Sequence, residues 1–174
     1  MADFFLGPAQ IAGIILVVQR IAEEIYSQIN TRRLLAMGAH EEGREFIRVV
    51  LAVHVTWLAG FFLIIPPTAQ PIWPLIILYI LIQPVRYWII ATLGRYWTHG
   101  IVTLDGAPIV RTGPYRYVRH PNYIVTVIEL FLLPAAFGAW GMAVIYLCLW
   151  LPVVRYKIIL EDRAIAARRQ QAAA

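Results

Sequence analysis

The chain has 174 residues, of which 60% are hydrophobic and 14% are charged, and its mean hydropathy is +0.67. A water-soluble domain of this length cannot bury so much apolar surface, so the composition excludes a soluble globular protein and predicts an integral membrane protein. The single Cys148 excludes an intramolecular disulfide framework.

Five hydrophobic stretches approach the length of about 20 residues that a helix needs to cross a bilayer. They cover residues 5–26, 46–65, 72–92, 121–137 and 139–157. Asp3 rather than a basic residue precedes the first stretch, which favours a retained anchor over a cleaved signal peptide. The last two stretches are separated by a few residues rich in glycine, which predicts a tight hairpin with one short or tilted helix. The predicted fold is an all-α integral membrane protein with about five transmembrane helices and a C-terminal helical hairpin.

Basic residues concentrate in three segments of the chain, and such residues near membrane ends favour the cytoplasmic side. They are Arg32, Arg33, Arg44, Arg48, Arg95, Arg111, Arg116, Arg119, Lys157, Arg163, Arg168 and Arg169. The two remaining links, residues 66–71 and 137–141, carry no charge. With five spans this pattern predicts an N-terminus outside and a C-terminus in the cytoplasm, with a bacterial inner membrane as the expected location.

The net charge of +5 is explained by this topology and by contact with anionic membrane lipids. No basic and aromatic motif for nucleic acid accompanies it, so we expect no nucleic-acid partner. The sequence contains no internal repeat and no break in composition, which predicts a single membrane domain over residues 1–174, with three N-terminal spans in residues 1–92. The loop over residues 95–119 is expected to fold over the cytoplasmic helix ends.

A polar cluster marks the start of the fourth hydrophobic stretch. Arg119 and His120 precede Pro121, and Asn122 and Tyr123 follow it. Proline is favoured at the first position of a helix, which explains Pro121 but not its polar neighbours. Arginine and tyrosine also serve as plain anchors at the membrane interface, so the cluster alone allows either an anchor or a site.

Ionisable residues inside the predicted spans are candidates for function, and they include Glu129, Arg86 and His54. Glu129 lies eight residues past Pro121, or about 12 Å along a helix, so it is expected to face the protein interior. Its expected partner is His54, Arg86 or a tyrosine, unless desolvation keeps it protonated. Arg86 near the cytoplasmic end of the third span allows either snorkelling to the surface or a role in a site. His54 is most simply a core histidine bonded to a neighbour.

Near the end of the chain, Lys157 and Glu161 are four residues apart and therefore share one helical face. An exposed ion pair is the simple interpretation. The alternative is that they complete one polar site with His120 and Tyr123, because all four lie at the same membrane level. The four histidines of the chain show no ligand spacing, so we expect no metal site.

The residues from 107 to 123 resemble the isoprenylcysteine carboxyl methyltransferase family of membrane enzymes. The resemblance rests on the sequence APIVRTGPY at residues 107–115, on RHPNY at residues 119–123, on the hairpin that follows and on the acidic pair Glu161 and Asp162. It covers residues 93–165, which we therefore regard as the methyltransferase motif region.

The resemblance implies S-adenosylmethionine as the cofactor and a cytoplasmic pocket that holds it. The residues implied for this pocket are Ile109, Val110, Tyr115, His120, Asn122, Tyr123 and Glu161. It further implies that Lys157 faces the methyl acceptor, with Arg155 as a nearby alternative. An acid, aromatic faces and a positively biased helix start suit a cofactor that carries an ammonium group, a carboxylate and a sulfonium.

The methyl acceptor is expected to be lipophilic and to enter sideways from the bilayer. The chain departs from the carboxylate-methylating members of the family, which often have glycine where this chain has Val125. It is short and in these respects more similar to small bacterial O-methyltransferases of alkylpyrones and alkylresorcinols. Glu129 is expected to meet the acceptor deeper in the membrane, where it or His120 assists proton removal while Arg86, Lys157 or Arg155 orients the acceptor oxygen. The alternatives are a phospholipid N-methyltransferase and a non-catalytic membrane scaffold. The oligomeric state does not follow from the sequence.

Overall fold

The computed structural model describes residues 6–171, with side chains described up to residue 166. Asp3 lies outside the described residues, and the side chains of Arg168 and Arg169 lie outside the described side chains. Five helices follow one another in the positions that the hydrophobic stretches predict. They are α1 (Pro8–Ala36), α2 (Ile47–Ile64), α3 (Trp73–Leu93), α4 (Pro121–Ala135) and α5 (Trp140–Gln171). The predicted all-α membrane fold is confirmed.

Three of these helices, α2, α3 and α5, are long and apolar enough to cross a membrane. The hairpin helix α4 is apolar but has only 15 residues, as expected for the short member of the hairpin. Helix α1 has 29 residues and carries Arg20, Glu23 and Glu24 within its apolar part. Length and composition together therefore identify three of the five predicted spans among the described residues.

Helices α1 and α5 continue well beyond the predicted ends at residues 26 and 157. Hydropathy marks only the part of a helix that lipid surrounds, whereas the residues that follow contain no Gly or Pro to interrupt the helix. Helix α1 ends at a Schellman motif, in which Gly38 has a φ of +93° and Ala39 N–H donates to Leu34 O at 3.0 Å.

The predicted hairpin between α4 and α5 closes over residues 136–139. Gly138 adopts a φ of +76°, and Ala139 N–H donates to Pro134 O at 3.0 Å. The core lies where α2, α4 and α5 meet, and there Trp57 Nε1 donates to Leu130 O at 3.2 Å. Many apolar side chains on the outer helix faces are exposed, as expected for a protein whose solvent is lipid.

A small antiparallel sheet joins two interhelical links. Strand β1 (His40–Glu42) lies between α1 and α2, and strand β2 (Ile101–Thr103) lies between α3 and α4. Their pairing brings these two links to the same end of the helices. The link between α3 and α4 also packs on α1, because Ser27 Oγ accepts the His99 N–H at 2.8 Å and Asn30 Nδ2 donates to Trp97 O at 2.9 Å.

Candidate functional site

A cavity of about 760 Å³ lies between the loop that follows α3, the start of α4 and the last turns of α5. Its lining includes every residue that the sequence predicts for a cofactor pocket: Ile109, Val110, Tyr115, His120, Asn122, Tyr123 and Glu161. These residues come from three separate segments of the chain. The fold therefore brings the whole predicted set to one cavity.

The local sequence determines where Tyr115, Asn122 and Tyr123 lie. Gly113 has a φ of +54°, and a Cβ atom there would lie 2.7 Å from Thr92 Oγ1, so only glycine lets this loop pack closely on α3. The 3-10 turn Gly113–Arg116 then carries Tyr115. Pro121 begins α4 and directs Asn122 and Tyr123, on the first turn, to the cavity.

His120 joins the start of α4 to the end of α5. Its Nδ1 lies 3.3 Å from Glu161 Oε2, and its Nε2 lies 3.2 Å from Asp162 Oδ1. The ring also stacks on Tyr123 at a centroid distance of 5.7 Å. Burial lowers the pKa of His120, but the hydrogen bonds and charges of the two carboxylates outweigh this effect and raise the pKa above its ordinary value of 6.5. An acceptor at each ring nitrogen favours the imidazolium form of His120, in which both nitrogens donate.

This geometry predicts that His120 stabilises the fold at low pH and loses that effect as the pH rises. A raised pKa gives a contribution that is complete below 6.5 and disappears as the pH passes through the folded-state pKa. We therefore expect His120→Gln to lower the unfolding temperature at about pH 6 and to have a smaller effect at about pH 9. Thermal denaturation of the detergent-solubilised proteins checks this expectation. If the difference in unfolding temperature between the wild type and His120→Gln stays constant with pH, His120 is not charged in the folded protein.

The two cavity tyrosines and Lys157 surround Glu161. Burial, followed by the charge of Glu161, raises the pKa of Tyr115, which keeps its phenol protonated. Lys157 is half-buried, and its Nζ donates to His99 O at 2.8 Å and lies 5.5 Å from the centroid of the Tyr123 ring. Among the described side chains it makes no ion pair with Glu161, so the first of the two interpretations, an exposed pair, is wrong; Lys157 is also absent from the cavity lining. The partner of Lys157 is the carbonyl of His99 instead of Glu161.

Arg155 does not join this site. Its side chain is exposed, and it is absent from the cavity lining. Two residues along a helix correspond to a rotation of about 200°, so Arg155 and Lys157 face nearly opposite directions. The predicted role of Arg155 as an alternative to Lys157 therefore has no support in the placement of its side chain.

Glu129 and Arg86 lie in a separate ion cluster, which we define as Arg20, Glu23, Arg86 and Glu129. Arg86 Nη1 lies 2.9 Å from Glu129 Oε2, and Arg86 Nε lies 2.6 Å from Glu23 Oε1. Arg20 Nη2 approaches Glu129 Oε2 at 2.8 Å, and Gln83 Nε2 donates to Glu129 Oε1 at 3.0 Å. The cluster joins α1, α3 and α4 through two cations and two anions.

This cluster decides two questions that the sequence left open. The side chain of Arg86 is only 3% exposed, so it does not snorkel to the surface; it turns inward because carboxylates are available there. Of the partners considered for Glu129, Arg86 is found, whereas His54 bonds Val50 O through Nδ1 at 3.0 Å. Neither Arg86 nor Glu129 lines the cavity. Glu129 was expected to lie deeper than the cofactor pocket, which agrees with this placement, and three donors engage its carboxylate. A role of Glu129 or Arg86 toward the acceptor stays a prediction.

Several residues of the ion cluster and of the cavity were not predicted from the sequence. Arg20 and Glu23 carried a usable signal, since charged residues in a hydrophobic stretch require partners. Asp162 was noted only as part of an acidic pair, although it contacts His120. Trp97 and the strand β2 line the cavity, and no motif or periodicity marks them in the sequence.

Comparison with known proteins identifies the family of the chain. The model of the isoprenylcysteine carboxyl methyltransferase (ICMT) family matches residues 75–167, which is more than half of the chain and contains α4 and most of α5. YpbQ of Bacillus subtilis, an uncharacterized protein, is 30% identical over 155 residues, which cover 87% of this chain and 92% of YpbQ. No solved structure matches the chain. The protein therefore belongs to the isoprenylcysteine carboxyl methyltransferase family and is an integral membrane methyltransferase.

Proposed function

We propose that the protein transfers a methyl group from S-adenosylmethionine to an oxygen atom of a lipophilic acceptor. The observation that carries this proposal is the single cavity that gathers the residues implied for the cofactor. The family supplies the reaction class, and the chemistry of the cavity lining supplies the rest. The acceptor classes are an alkylpyrone or alkylresorcinol lipid and an isoprenylcysteine carboxylate.

The cavity fits this cofactor in size and in charge. Its volume of about 760 Å³ falls in the range of small-molecule and cofactor sites. Glu161 and Asp162 offer carboxylates to an ammonium or sulfonium group, and Tyr115 and Tyr123 offer aromatic faces to a cation. Asn122 Oδ1 is buried without a partner among the described residues, so a ligand donor would satisfy it.

When bound, the cofactor supplies an electrophilic methyl group. The protein's contribution is to hold the two reactants in line and to exclude water. Glu161 is held in place by His120, which is itself fixed by Asp162. Lys157 does not line the cavity, but its ammonium group lies 5.5 Å from the ring of Tyr123, which does, and its positive charge there would attract an anionic acceptor oxygen.

The arrangement favours an acceptor that is ionised before it reacts. His120 is held as an imidazolium between two carboxylates, which makes it a poor base. Glu129, the other residue considered for this role, belongs to the ion cluster and does not line the cavity. A carboxylate or an acidic enolic hydroxyl needs no base near neutral pH, whereas a resorcinol phenol with a pKa of about 10 does. We therefore place a carboxylate or a hydroxypyrone ahead of a resorcinol.

We also propose that the cavity faces the cytoplasm of a bacterial inner membrane, with the N-terminus outside. The pairing of β1 with β2 supports this orientation, because it puts the link after α1 and the link after α3 at the same end of the helices. Arginines lie in or beside both links, which favours the cytoplasmic side. They are Arg32, Arg33, Arg44 and Arg48 at the first link and Arg95, Arg111, Arg116 and Arg119 at the second.

Label transfer tests the proposed function. Membranes that contain the protein are incubated with methyl-labelled S-adenosylmethionine and one acceptor at a time: an alkylpyrone, an alkylresorcinol, a farnesylcysteine analogue or phosphatidylethanolamine. We expect label in the alkylpyrone or the farnesylcysteine analogue and none in phosphatidylethanolamine. Membranes with His120→Ala, present in equal amount, are the control and should lose the label. Label in phosphatidylethanolamine would indicate an N-methyltransferase, and absence of both label and cofactor binding would indicate a scaffold.

A further inference from the structure

Trp97 presents an unpaired hydrogen-bond donor at the wall of the cavity. Its side chain is 1% exposed and lines the cavity, and its Nε1 has no partner among the described residues. Tyr26 stacks on one side of the ring at 5.9 Å, and His99 packs on it at 4.8 Å. Neither ring accepts from the indole N–H, and the cavity that Trp97 lines is where a ligand could supply the partner.

Asn122 presents the complementary group. Its Oδ1 is a buried acceptor without a partner, and the residue lines the same cavity from the first turn of α4. A buried donor and a buried acceptor that both lack partners are unfavourable unless a ligand pairs them. Both groups are neutral, in contrast to Glu161, Asp162 and His120 in the same lining.

We propose that Trp97 and Asn122 recognise the purine base of the cofactor, a role that rests on the proposed function. Asn122 Oδ1 accepts a hydrogen bond from the exocyclic amine of adenine, and Trp97 Nε1 donates to a ring nitrogen. Adenine is the flat, uncharged part of the cofactor that carries a donor amine beside acceptor nitrogens. The apolar side chains of Leu34, Leu93 and Ile101 line the cavity too and suit the faces of such a ring.

Replacing adenine with hypoxanthine tests this recognition, because it changes the base and leaves the ribose and the amino-acid end unchanged. Calorimetry compares the binding of S-adenosylhomocysteine and S-inosylhomocysteine to the detergent-solubilised protein. Hypoxanthine presents a carbonyl where adenine has its amine, so it meets Asn122 Oδ1 with an acceptor. We expect the wild-type protein to bind the adenosyl compound about 10-fold more tightly or better.

Three variants assign the effect to individual atoms. Asn122→Ala should reduce the preference for the adenosyl compound to about twofold or less, and Trp97→Phe should weaken its binding about fivefold. Trp150→Phe is the matched control, because Trp150 Nε1 is also buried without a partner but the residue does not line the cavity. Trp150→Phe should therefore leave both affinities within about twofold of the wild type.

Each contrary result has a distinct meaning. Equal binding of the two compounds to the wild-type protein would overturn the purine assignment, and this comparison does not depend on whether any variant folds. A preference that survives in Asn122→Ala, or identical effects of Trp97→Phe and Trp150→Phe, would overturn it as well. If the wild-type protein binds neither compound, the proposed function fails and the purine assignment fails with it.

Discussion

Replacing Arg86 with methionine should lower the free energy of unfolding by about 3–5 kcal/mol. Arg86 pairs with Glu23 and Glu129, whose side chains are each about 5% exposed. Methionine fills similar space but leaves these two carboxylates to share the partly exposed Arg20. Breaking a buried ion pair by removing one partner costs more than the pair contributes, because the remaining charge stays desolvated. The result is measured by denaturation of the protein in detergent micelles.

Arg32→Met is the matched control, because Arg32 is exposed on α1 and makes no ion pair among the described side chains. It should change the free energy of unfolding by less than about 0.5 kcal/mol. Adding Glu23→Gln and Glu129→Gln to Arg86→Met removes the uncompensated charges and should restore part of the lost stability. If Arg86→Met costs no more than Arg32→Met, the ion cluster does not hold α1, α3 and α4 together.

The helices could be predicted from the sequence because hydrophobic length is decisive in lipid. All five helices lie where apolar stretches occur, and the short hairpin is correctly located. The ends of α1 and α5 were not predicted, because hydropathy does not register a helix that continues beyond the lipid. The end of α1 did carry a readable signal in Gly38, which forms the Schellman motif.

Part of the site could be predicted from the sequence, and there is a physical reason why the rest could not. The residues from Tyr115 to Tyr123 are close together in the sequence, so their shared location follows from the chain itself. Whether Arg86 turns inward depends on Glu23, which belongs to a different helix and whose direction depends on the rotation of α1. Lys157 is a similar case, since its partner is the carbonyl of His99 in a distant loop rather than Glu161 one turn away. Partners set by helix rotation and loop packing are not encoded in local spacing.

Glu161→Gln should weaken the binding of S-adenosylmethionine about 10- to 100-fold and reduce methyl transfer at low cofactor concentration accordingly. Glu161 lines the cavity and lies 3.3 Å from His120 Nδ1, so its carboxylate is fixed in direction before a ligand arrives. Glutamine preserves the shape of this side chain and removes the charge that a cationic ligand needs. Calorimetry measures the affinity, and thermal denaturation verifies that the variant remains folded.

Two further variants separate a ligand contact from a general effect of charge. Glu45→Gln removes an equal charge from an exposed position outside the cavity and should leave the affinity within about twofold of the wild type. Asp162→Asn weakens the other contact of His120 and should have an intermediate effect, because it loosens the imidazolium that positions Glu161. If Glu161→Gln binds the cofactor as tightly as Glu45→Gln, the carboxylate serves only to hold His120, and the cation of the ligand has to be met by another part of the cavity.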